Sequence, residues 1–360
     1  MSNTDILIIG AGPAGTAAAI TARHAGLHVT IIERLTFPRH RPGESLHPGI
    51  QPLLAQLGVE QVVLDANFLR FNGIWMNWAG PNKRQPRWFE PFGEDEREVW
   101  QGFQAWRTTF DQILLDHAIS LGVQVHQPCR AHEVLLQEEQ VIGINTDNGP
   151  IRANFVIDAT GSRHWLATQL NIPVAPLTTP LFARYGYMDG HLDTLVQDPM
   201  LTIQRNGTMS GWLWVAPVTA PNHAKQTQWT ELMLPASQFQ SQSKQVPELL
   251  SPLTPAGRIH GADVTWRVME AMAGPGYFAV GDAAFILDPT SSHGVLRAIM
   301  SGIYATNLII QSTHGHVPAD VLPAIYHDWM RTWLQTDIEK LKSFYGKLSL
   351  ADIFLPVDPQ

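Results

Sequence analysis

The sequence predicts an α/β fold, in which a Rossmann-like domain is interleaved with an antiparallel-sheet domain and followed by C-terminal helices. The first observation is a strand-turn-helix-strand pattern over residues 6–9, 10–15, 16–24 and 28–32. The second is a change of character at residue 173, after which prolines punctuate aromatic segments that carry few helix signals. Short segments of this kind are typical of strands in an antiparallel sheet, so the chain combines two architectures.

Length and composition describe a globular protein without a basic surface. The chain has 360 residues, of which 44% are hydrophobic and 16% charged, and its formal net charge is -8. This length exceeds the size at which a single core stops growing, so we expect two domains. The acidic balance argues against a nucleic-acid partner, because phosphate binding needs a basic face. Cys129 is the only cysteine, and no His or carboxylate cluster has metal-ligand spacing, so neither a disulfide nor a metal is expected.

The N-terminus and the hydropathy favour a cytoplasmic protein without membrane contact. Residues 5–9 enter an apolar strand without a basic flank or a cleavage site. No apolar run is long enough to cross a bilayer.

The middle of the chain continues the first architecture. Residues 106–121 have apolar side chains at helical spacing and end at a glycine, which predicts a helix. A strand over residues 123–126 follows it. Two alternating segments, 133–136 and 141–144, flank a polar stretch and predict a hairpin, and residues 151–157 form the next strand.

The predicted domains are discontinuous. The tryptophan-rich stretch 71–100 is expected to join the sheet formed after residue 173, and residues 322–348 predict terminal helices. We assign residues 1–70, 101–172 and 256–315 to the Rossmann-like domain, 71–100 and 173–255 to a substrate domain, and 316–360 to C-terminal helices.

The turn Gly10-Ala11-Gly12-Pro13-Ala14-Gly15 is a G-x-G-x-x-G motif between a predicted strand and a predicted helix. In this setting the first glycine makes the turn, the second lets the backbone approach a diphosphate, and the third packs the helix on the strand. The helix N-terminus offers unpaired N–H groups to the anion. Glu33 ends the second strand, where a carboxylate can accept hydrogen bonds from ribose hydroxyls. The alternative is a glycine-rich turn without a ligand.

Three further motifs resemble the aromatic-hydroxylase flavoprotein superfamily. They are Arg107-Thr108-Thr109-Phe110-Asp111, Asp158-Ala159-Thr160-Gly161, and Gly281-Asp282-Ala283-Ala284 followed by Asp288-Pro289 and Gly294. The resemblance implies FAD as the cofactor, in a Rossmann-like FAD-binding domain of the aromatic-hydroxylase type. A helix start near residue 294 would stabilise negative charge on reduced flavin. Besides the glycine turn and Glu33, the implied FAD residues are Arg34, Arg107, Ala131, Thr160, Gly161, Gly281, Asp282, Pro289, Gly294 and Val295.

The loop Arg41-Pro42-Gly43-Glu44-Ser45-Leu46 resembles the Gly-Glu-Ser segment of flavin halogenases and their relatives. The resemblance implies that Arg41 and Ser45 contact flavin or phosphate. A solvated loop held by its proline and glycine is the alternative. His47 follows directly, and it is a candidate to face the substrate, although a single histidine is more often structural.

The segment Gly211-Trp212-Leu213-Trp214-Val215-Ala216-Pro217 resembles the W-x-W-x-I-P stretch of flavin halogenases, with alanine where isoleucine is usual. Trp212 and Trp214 would share one face of a strand and form an aromatic wall. Together with Trp75 and Trp78 they are candidates for a substrate pocket. A sheet core that needs bulky side chains is the alternative.

One position departs from the halogenase pattern. The essential lysine of halogenases precedes a Gly-Ile pair, and the matching stretch here is Phe71-Asn72-Gly73-Ile74. A phenyl ring cannot hold or activate hypohalous acid, and the neighbouring Arg70 is a poor proton donor because its charge is permanent. Halogenation is therefore disfavoured.

His293 lies at the predicted flavin edge and is the first candidate for a catalytic histidine. An imidazole there could exchange a proton with a flavin or its oxygen adduct near neutral pH. A loop histidine hydrogen-bonded to backbone is the alternative.

Three functions fit the sequence. This short chain combines the stretch Gly73-Ile74-Trp75-Met76-Asn77-Trp78 with a Gly-Glu-Ser loop and no halogenase lysine. In these features it resembles the flavoproteins that mature tryptophylquinone enzymes. This resemblance implies a monooxygenase that hydroxylates a tryptophan of a precursor quinoprotein oxidase, which would be a protein partner. The second hypothesis is a small-molecule hydroxylase or halogenase acting on an indole, pyrrole or phenol. The third is a non-catalytic flavin-binding assembly partner. A single dinucleotide motif leaves the electron donor, or a separate reductase, unidentified.

Overall fold

The structure is a computed structural model that describes residues 2–78, 84–89, 91–92, 98–192, 198–206, 209–222, 224–234, 237 and 245–355. Parts of the predicted substrate domain and the end of the predicted C-terminal segment lie outside these ranges.

The first sheet has eight strands and contains the predicted strand-helix-strand unit. Its central strand Ser2–Ile9 pairs in parallel with Val29–Ile32 on one side and with Gly149–Asp158 on the other. The predicted hairpin is confirmed, because Ala131–Gln137 and Gln140–Thr146 are antiparallel neighbours at one edge. The other strands of this sheet are Gln124–His126, Ala273–Gly274 and Tyr277–Ala279.

The second sheet also has eight strands and is antiparallel apart from one pair. That pair is parallel and joins Gly73–Asn77 to Met200–Asn206, which places this part of the tryptophan-rich stretch in the second sheet. The strands are Thr254–Pro255, Phe182–Asp189, Lys225–Leu234, Met209–Thr219, Met200–Asn206, Gly73–Asn77 and Arg84–Trp88 in spatial order, with His260–Asp263 beside Phe182–Asp189.

The strand Met209–Thr219 separates two hydrophobic clusters. Trp212 and Trp214 face the main core, which also contains the first sheet, whereas Leu213 and Val215 face a smaller cluster on the other side. This alternation is the period of two that a strand imposes on its side chains. It confirms that the two indoles share a face.

Short sheets and helices complete the fold. The short sheets are Val174–Pro176 with Arg267–Met269 and Phe285–Ile286, Ser45–Leu46 with Gly102–Gln104 and Leu69–Phe71, and Pro91–Phe92 with Glu98–Val99. The α-helices are Pro13–His24, Ile50–Gln56, Glu60–Asp65, Arg107–Ser120, Trp165–Gln169, Gly294–Thr313 and Leu322–Lys347. Single 3-10 turns lie at Glu248–Leu250, Gly281–Ala283, Pro289–Ser291 and Ala351–Ile353.

The predicted terminal helices are one helix of 26 residues, Leu322–Lys347. Its buried residues recur every three or four positions, which keeps them on one side of the helix. Tyr326 and Tyr345 from this side belong to the main core. Across the described ranges, no helix has both the length and the apolar character needed to cross a membrane.

Candidate flavin site

A cavity of about 710 Å³ lies between the two sheets. The glycine-rich turn lines one part of it, which we call the glycine end, and the aromatic strand Met209–Thr219 lines another, which we call the aromatic end. The first sheet presents the carboxyl ends of its parallel strands to this cavity, which is where open α/β sheets bind ligands.

The three glycines of the turn have different surroundings. Gly10 has φ +107°, and a Cβ there would lie 2.5 Å from the carbonyl oxygen of Ala159. A Cβ at Gly15 would lie 2.0 Å from the oxygen of Gly10. At Gly12 the nearest atom is Nη2 of Arg39, at 3.5 Å. Gly10 and Gly15 are therefore required for packing, whereas Gly12 leaves its space to the cavity.

Glu33 is buried against the turn and lines the cavity. Its Oε2 accepts a hydrogen bond from the backbone N–H of Ala11, and its Oε1 accepts one from Leu35, both at 3.0 Å. Each carboxylate oxygen keeps a further lone pair. The side chain thus fixes the turn and still offers acceptors to a ligand.

Arginine side chains converge beside the first helix. Asp111 accepts hydrogen bonds from Nε of Arg107 at 2.8 Å and from Nη1 of Arg39 at 2.9 Å. Although burial opposes the charge of Arg107, Asp111 raises the pKa of that guanidinium. Burial, followed by the charges of Arg39 and Arg34, lowers the pKa of Arg41. These cations repel one another, and a bound anion would relieve the repulsion.

The segment that precedes the helix Gly294–Thr313 also lines the cavity, and hydrogen bonds hold it in place. Asp288 caps a 3-10 turn, accepting a hydrogen bond from the N–H of Thr290 at 2.9 Å. Its other oxygen accepts bonds from the Trp266 indole at 2.6 Å and the Tyr345 hydroxyl at 3.0 Å. A Cβ at Gly294 would meet no atom within 4 Å, so this helix start is open.

Trp212 and Trp214 form a wall of the cavity, and both indoles are held by hydrogen bonds. Nε1 of Trp212 donates to the hydroxyl of Tyr345, and Nε1 of Trp214 donates to Oγ of Ser45, each at 3.1 Å. The next strand contributes Gln228 and Thr230 to the same cavity.

Trp75 and Trp78 lie outside the lining of this cavity, which corrects the expectation that they share it with the other two indoles. Trp75 lies in the strand Gly73–Asn77 and Trp78 follows its end; this strand pairs beyond Met200–Asn206, towards the far edge of the sheet. Trp75 packs edge-to-face on Trp88 at 5.2 Å between ring centroids, and Trp78 packs on Phe344 at 6.2 Å.

His47 and His293 contact each other, and neither is among the residues that line the cavity. Their rings are perpendicular, with centroids 4.9 Å apart. Nδ1 of His293 lies 3.1 Å from Oδ1 of Asp337, whose Oδ2 accepts a hydrogen bond from Arg297 at 2.9 Å. Burial, with the nearby His293 and Lys340, lowers the pKa of His47 to about 4. His293 is thus bonded to a carboxylate, not to the backbone as the alternative proposed, and its catalytic role stays a prediction.

Phe71, which the sequence comparison with the halogenase motif predicts to stand at the lysine position, is enclosed by aromatic side chains and backbone. It is 2% exposed, and a Cβ at Gly102 would lie 2.2 Å from its ring. Phe89 packs on it at 5.6 Å and on His47 at 6.0 Å. An apolar contact thus occupies this position.

All the cofactor residues expected from the sequence line the cavity except Gly15 and Gly281. Gly15 packs the helix on its strand, and Gly281 donates its N–H to Oγ of Ser301 at 2.8 Å. The residues that line it are Gly10, Gly12, Pro13, Ala14, Glu33, Arg34, Arg41, Ser45, Arg107, Ala131, Thr160, Gly161, Asp282, Pro289, Gly294 and Val295.

Sequence reasoning missed several cavity residues. Glu44 was inside a recognised motif, and its position beside Ser45 could have marked it. Arg297 follows Gly294 by one helical turn, which is a readable signal. Arg39 lies two residues before Arg41, which could have marked it. Gln228 had no such signal, because only the tertiary fold brings its strand to the cavity.

The cavity fits FAD on two observations of its own. At Gly12 and Gly294 an added Cβ would meet no protein atom closer than 3.5 Å. A ligand can therefore approach the backbone at both positions. The clustered arginines match a diphosphate.

Asp282 is surrounded by protein yet open to the cavity, and burial raises the pKa of its carboxyl despite the opposing charges of Arg297 and Arg107. In the described residues, no group of His, Cys, Asp or Glu is arranged to hold a metal ion.

Comparison with known proteins identifies the class to which this fold and site belong. A family model described as an FAD binding domain matches residues 3–328, and the chain belongs to this family. The protein is an FAD-dependent oxidoreductase, and its sequence is similar to those of flavin halogenases.

Two curated relatives and one solved structure illustrate the similarity. The chain is 28% identical over 342 residues to a tryptophan 2-halogenase of Chondromyces crocatus, covering 88% of this chain and 63% of that protein. It is 27% identical over 343 residues to a 1H-pyrrole-2-carbonyl-[peptidyl-carrier protein] chlorinase of Pseudomonas fluorescens, covering 86% and 76%. The structure of the myxobacterial chondrochloren halogenase has a similar fold, with a TM-score of 0.84 at 23% identity, covering 99% of this chain and 84% of that one.

Proposed function

We propose that the protein uses FAD to oxidise a small, electron-rich aromatic ring, an indole, a pyrrole or a phenol. The observation that carries the proposal is the continuous cavity that joins the glycine turn to the wall of Trp212 and Trp214. Indole faces favour stacking against another aromatic ring. Gln228 and Thr230 add polar groups that could orient such a ring. The names of these relatives, which refer to tryptophan and to pyrrole, point to the same substrate class.

Within this class, we favour hydroxylation over halogenation. Phe71 is buried against Gly102 and Phe89, so the lysine position of the halogenases offers no amine here. A benzyl side chain cannot form the hydrogen bonds or the ion pair that an activated halogen species needs. The neighbouring Arg70 donates from Nε to the carbonyl oxygen of Gly102 and lies over the Phe103 ring, at 3.9 Å from its centroid. Its guanidinium is thus already engaged.

The maturation of a tryptophylquinone precursor stays a narrower hypothesis. It requires a protein side chain to reach the wall formed by Trp212 and Trp214, and it requires a quinoprotein partner. The halogenase relatives favour a small or carrier-bound ring instead.

The test is a substrate survey with FAD-loaded protein, a flavin reductase as electron source, and labelled dioxygen. Indoles, pyrroles and phenols are offered with and without bromide, and the products are analysed by mass spectrometry. The proposal expects incorporation of one labelled oxygen atom, with or without bromide. A brominated product would show that halogenation proceeds without the lysine. Turnover of a tryptophan-containing precursor protein, with none of the small rings, would contradict the proposal and support the maturation hypothesis.

A further inference from the structure

A line of hydrogen bonds joins the protein surface to the cavity through side chains that have no role in the proposed function. Glu44 lines the cavity and is 2% exposed. Its Oε1 lies 2.5 Å from the hydroxyl of Tyr187, which is itself 3.0 Å from Nε2 of His40. His40 is exposed to solvent. The three side chains therefore form an unbroken line from bulk water to the cavity.

The neighbours of this line hold its geometry. The Tyr187 ring packs on Trp106 with centroids 5.1 Å apart, so its hydroxyl has little freedom. His40 stacks on His260 at 6.0 Å, and His260 stacks on Tyr185 at 5.2 Å. The remaining Oε2 of Glu44 accepts the N–H of Gly43 at 2.9 Å, which orients the carboxyl.

Burial shifts the proton affinities of the two ends of the line towards each other. Burial raises the pKa of Glu44, although the Tyr187 hydrogen bond and the charge of Arg107 oppose this. Burial, followed by the charges of His260, Arg41 and Arg107, lowers the pKa of His40. The carboxyl therefore holds a proton more tightly than usual and the imidazole less tightly. Proton exchange is easiest between groups of similar affinity.

We propose that His40, Tyr187 and Glu44 form a proton-transfer path between solvent and the flavin cavity. In the inward direction, Nε2 of protonated His40 gives its proton to the Tyr187 oxygen. The hydroxyl passes its own proton to Oε1 of Glu44. The imidazole becomes neutral, the phenol is regenerated, and the carboxylate becomes a carboxylic acid, with no transfer of electrons. His40 then takes a new proton from water.

The direction can reverse, because a hydroxyl both donates and accepts. A protonated Glu44 can donate to the Tyr187 oxygen while the Tyr187 hydroxyl donates to neutral His40. FAD supplies redox chemistry in which its ring system takes up and releases protons. The inference rests on FAD binding and is independent of the aromatic substrate.

A purely structural role is the competing explanation. Glu44 and Tyr187 connect the loop before Ser45–Leu46 to the strand Phe182–Asp189, and this tie could simply fix the loop. The two explanations differ at His40. Replacing it with glutamine keeps a hydrogen bond to Tyr187 but removes the group that titrates.

The test measures proton release without a substrate. Photoreduced, FAD-loaded protein is mixed with ferricyanide in weakly buffered solution, and an indicator dye and the flavin absorbance are followed together. His40→Gln and Tyr187→Phe should slow proton release by roughly tenfold or more, the scale of one positioned proton carrier. FAD occupancy should not change. Tyr304→Phe, a tyrosine outside the path, is the control.

Chemical rescue separates the path from a structural tie. In His40→Ala, added imidazole should restore fast proton release, because a free imidazole can occupy the exposed position. Wild-type rates in His40→Gln, or no rescue of a slow His40→Ala, would overturn the proposal. Because His40 is exposed, these variants keep the test decisive even if Tyr187→Phe does not fold. Since no aromatic substrate is present, failure of the substrate survey would not affect the result.

Discussion

The two ends of the cavity are built in different ways. At the glycine end, the backbone of one continuous turn and the nearby Glu33 shape the surface. At the aromatic end, side chains from distant segments meet, as in the bonds from Trp214 to Ser45 and from Trp212 to Tyr345. A backbone-built end depends on the absence of side chains, whereas a side-chain-built end depends on their mutual packing. Substitutions should therefore impair ligand binding at the first end and folding at the second.

The largest effect is expected from Trp212→Ala. This indole is 1% exposed, and truncation of a fully buried aromatic residue costs about 3–5 kcal/mol. Urea denaturation of FAD-free protein measures the loss. Trp88→Ala, at an exposed position, is the control and should cost far less. Equal losses would show that the aromatic end is not part of the core.

Gly12→Val tests the opposite end. The new side chain would occupy space that the cavity now holds, so FAD affinity should fall by about a hundredfold or more, or about 2.7 kcal/mol. The free energy of unfolding of FAD-free protein should change little. Fluorescence titration with FAD measures the affinity, and Gly346→Val in the last helix is the matched control. Undiminished FAD binding would remove Gly12 from the site.

A pH effect of intermediate size should arise from His47. Its pKa is about 4 in the folded protein and 6.5 in the unfolded reference, so the unfolded chain binds more protons between these values. Stability should therefore rise with pH across this window and level off above it. Partial solvation limits the effect to about 1–2 kcal/mol.

His47→Gln should flatten this part of the profile, as measured by denaturation from pH 4 to 7. His316→Gln, at an exposed position, should leave the profile unchanged. A profile that keeps its slope in His47→Gln would assign the effect to another group.

The smallest effect is expected from Trp214→Phe. The phenyl ring keeps the wall aromatic but is smaller than the indole, and the change also removes the hydrogen bond to Ser45, which is itself worth about 1 kcal/mol. Thermal unfolding with and without FAD measures it. A large loss of FAD affinity with unchanged stability would show that the aromatic end also binds through specific polar contacts.

The same contrast explains what the sequence could predict. The strand-turn-helix unit, Glu33 and the order of the flavin motifs were readable, because local backbone requirements leave a fixed pattern of residue types. The shared face of Trp212 and Trp214 was readable from the period of a strand. The displacement of Trp75 and Trp78 was not, because it depends on the parallel pairing with Met200–Asn206.

Side-chain partnerships between distant segments were equally hidden. The contact of His47 with His293, and the bond from His293 to Asp337, join three parts of the chain. The line from Glu44 through Tyr187 to His40 depends on how the second sheet lies against the loop. None of these pairs follows a spacing rule, because the spacing is set by the whole fold.

Tyr345 connects the last helix to the lining of the flavin cavity. Its hydroxyl accepts a hydrogen bond from Trp212 and donates one to Asp288. The end of the last helix therefore contacts the aromatic wall and also the turn that precedes Gly294. A ligand that binds only the complete cavity stabilises every element that forms it against local unfolding. FAD should therefore slow proteolytic cleavage within Leu322–Lys347, far along the chain from the glycine turn.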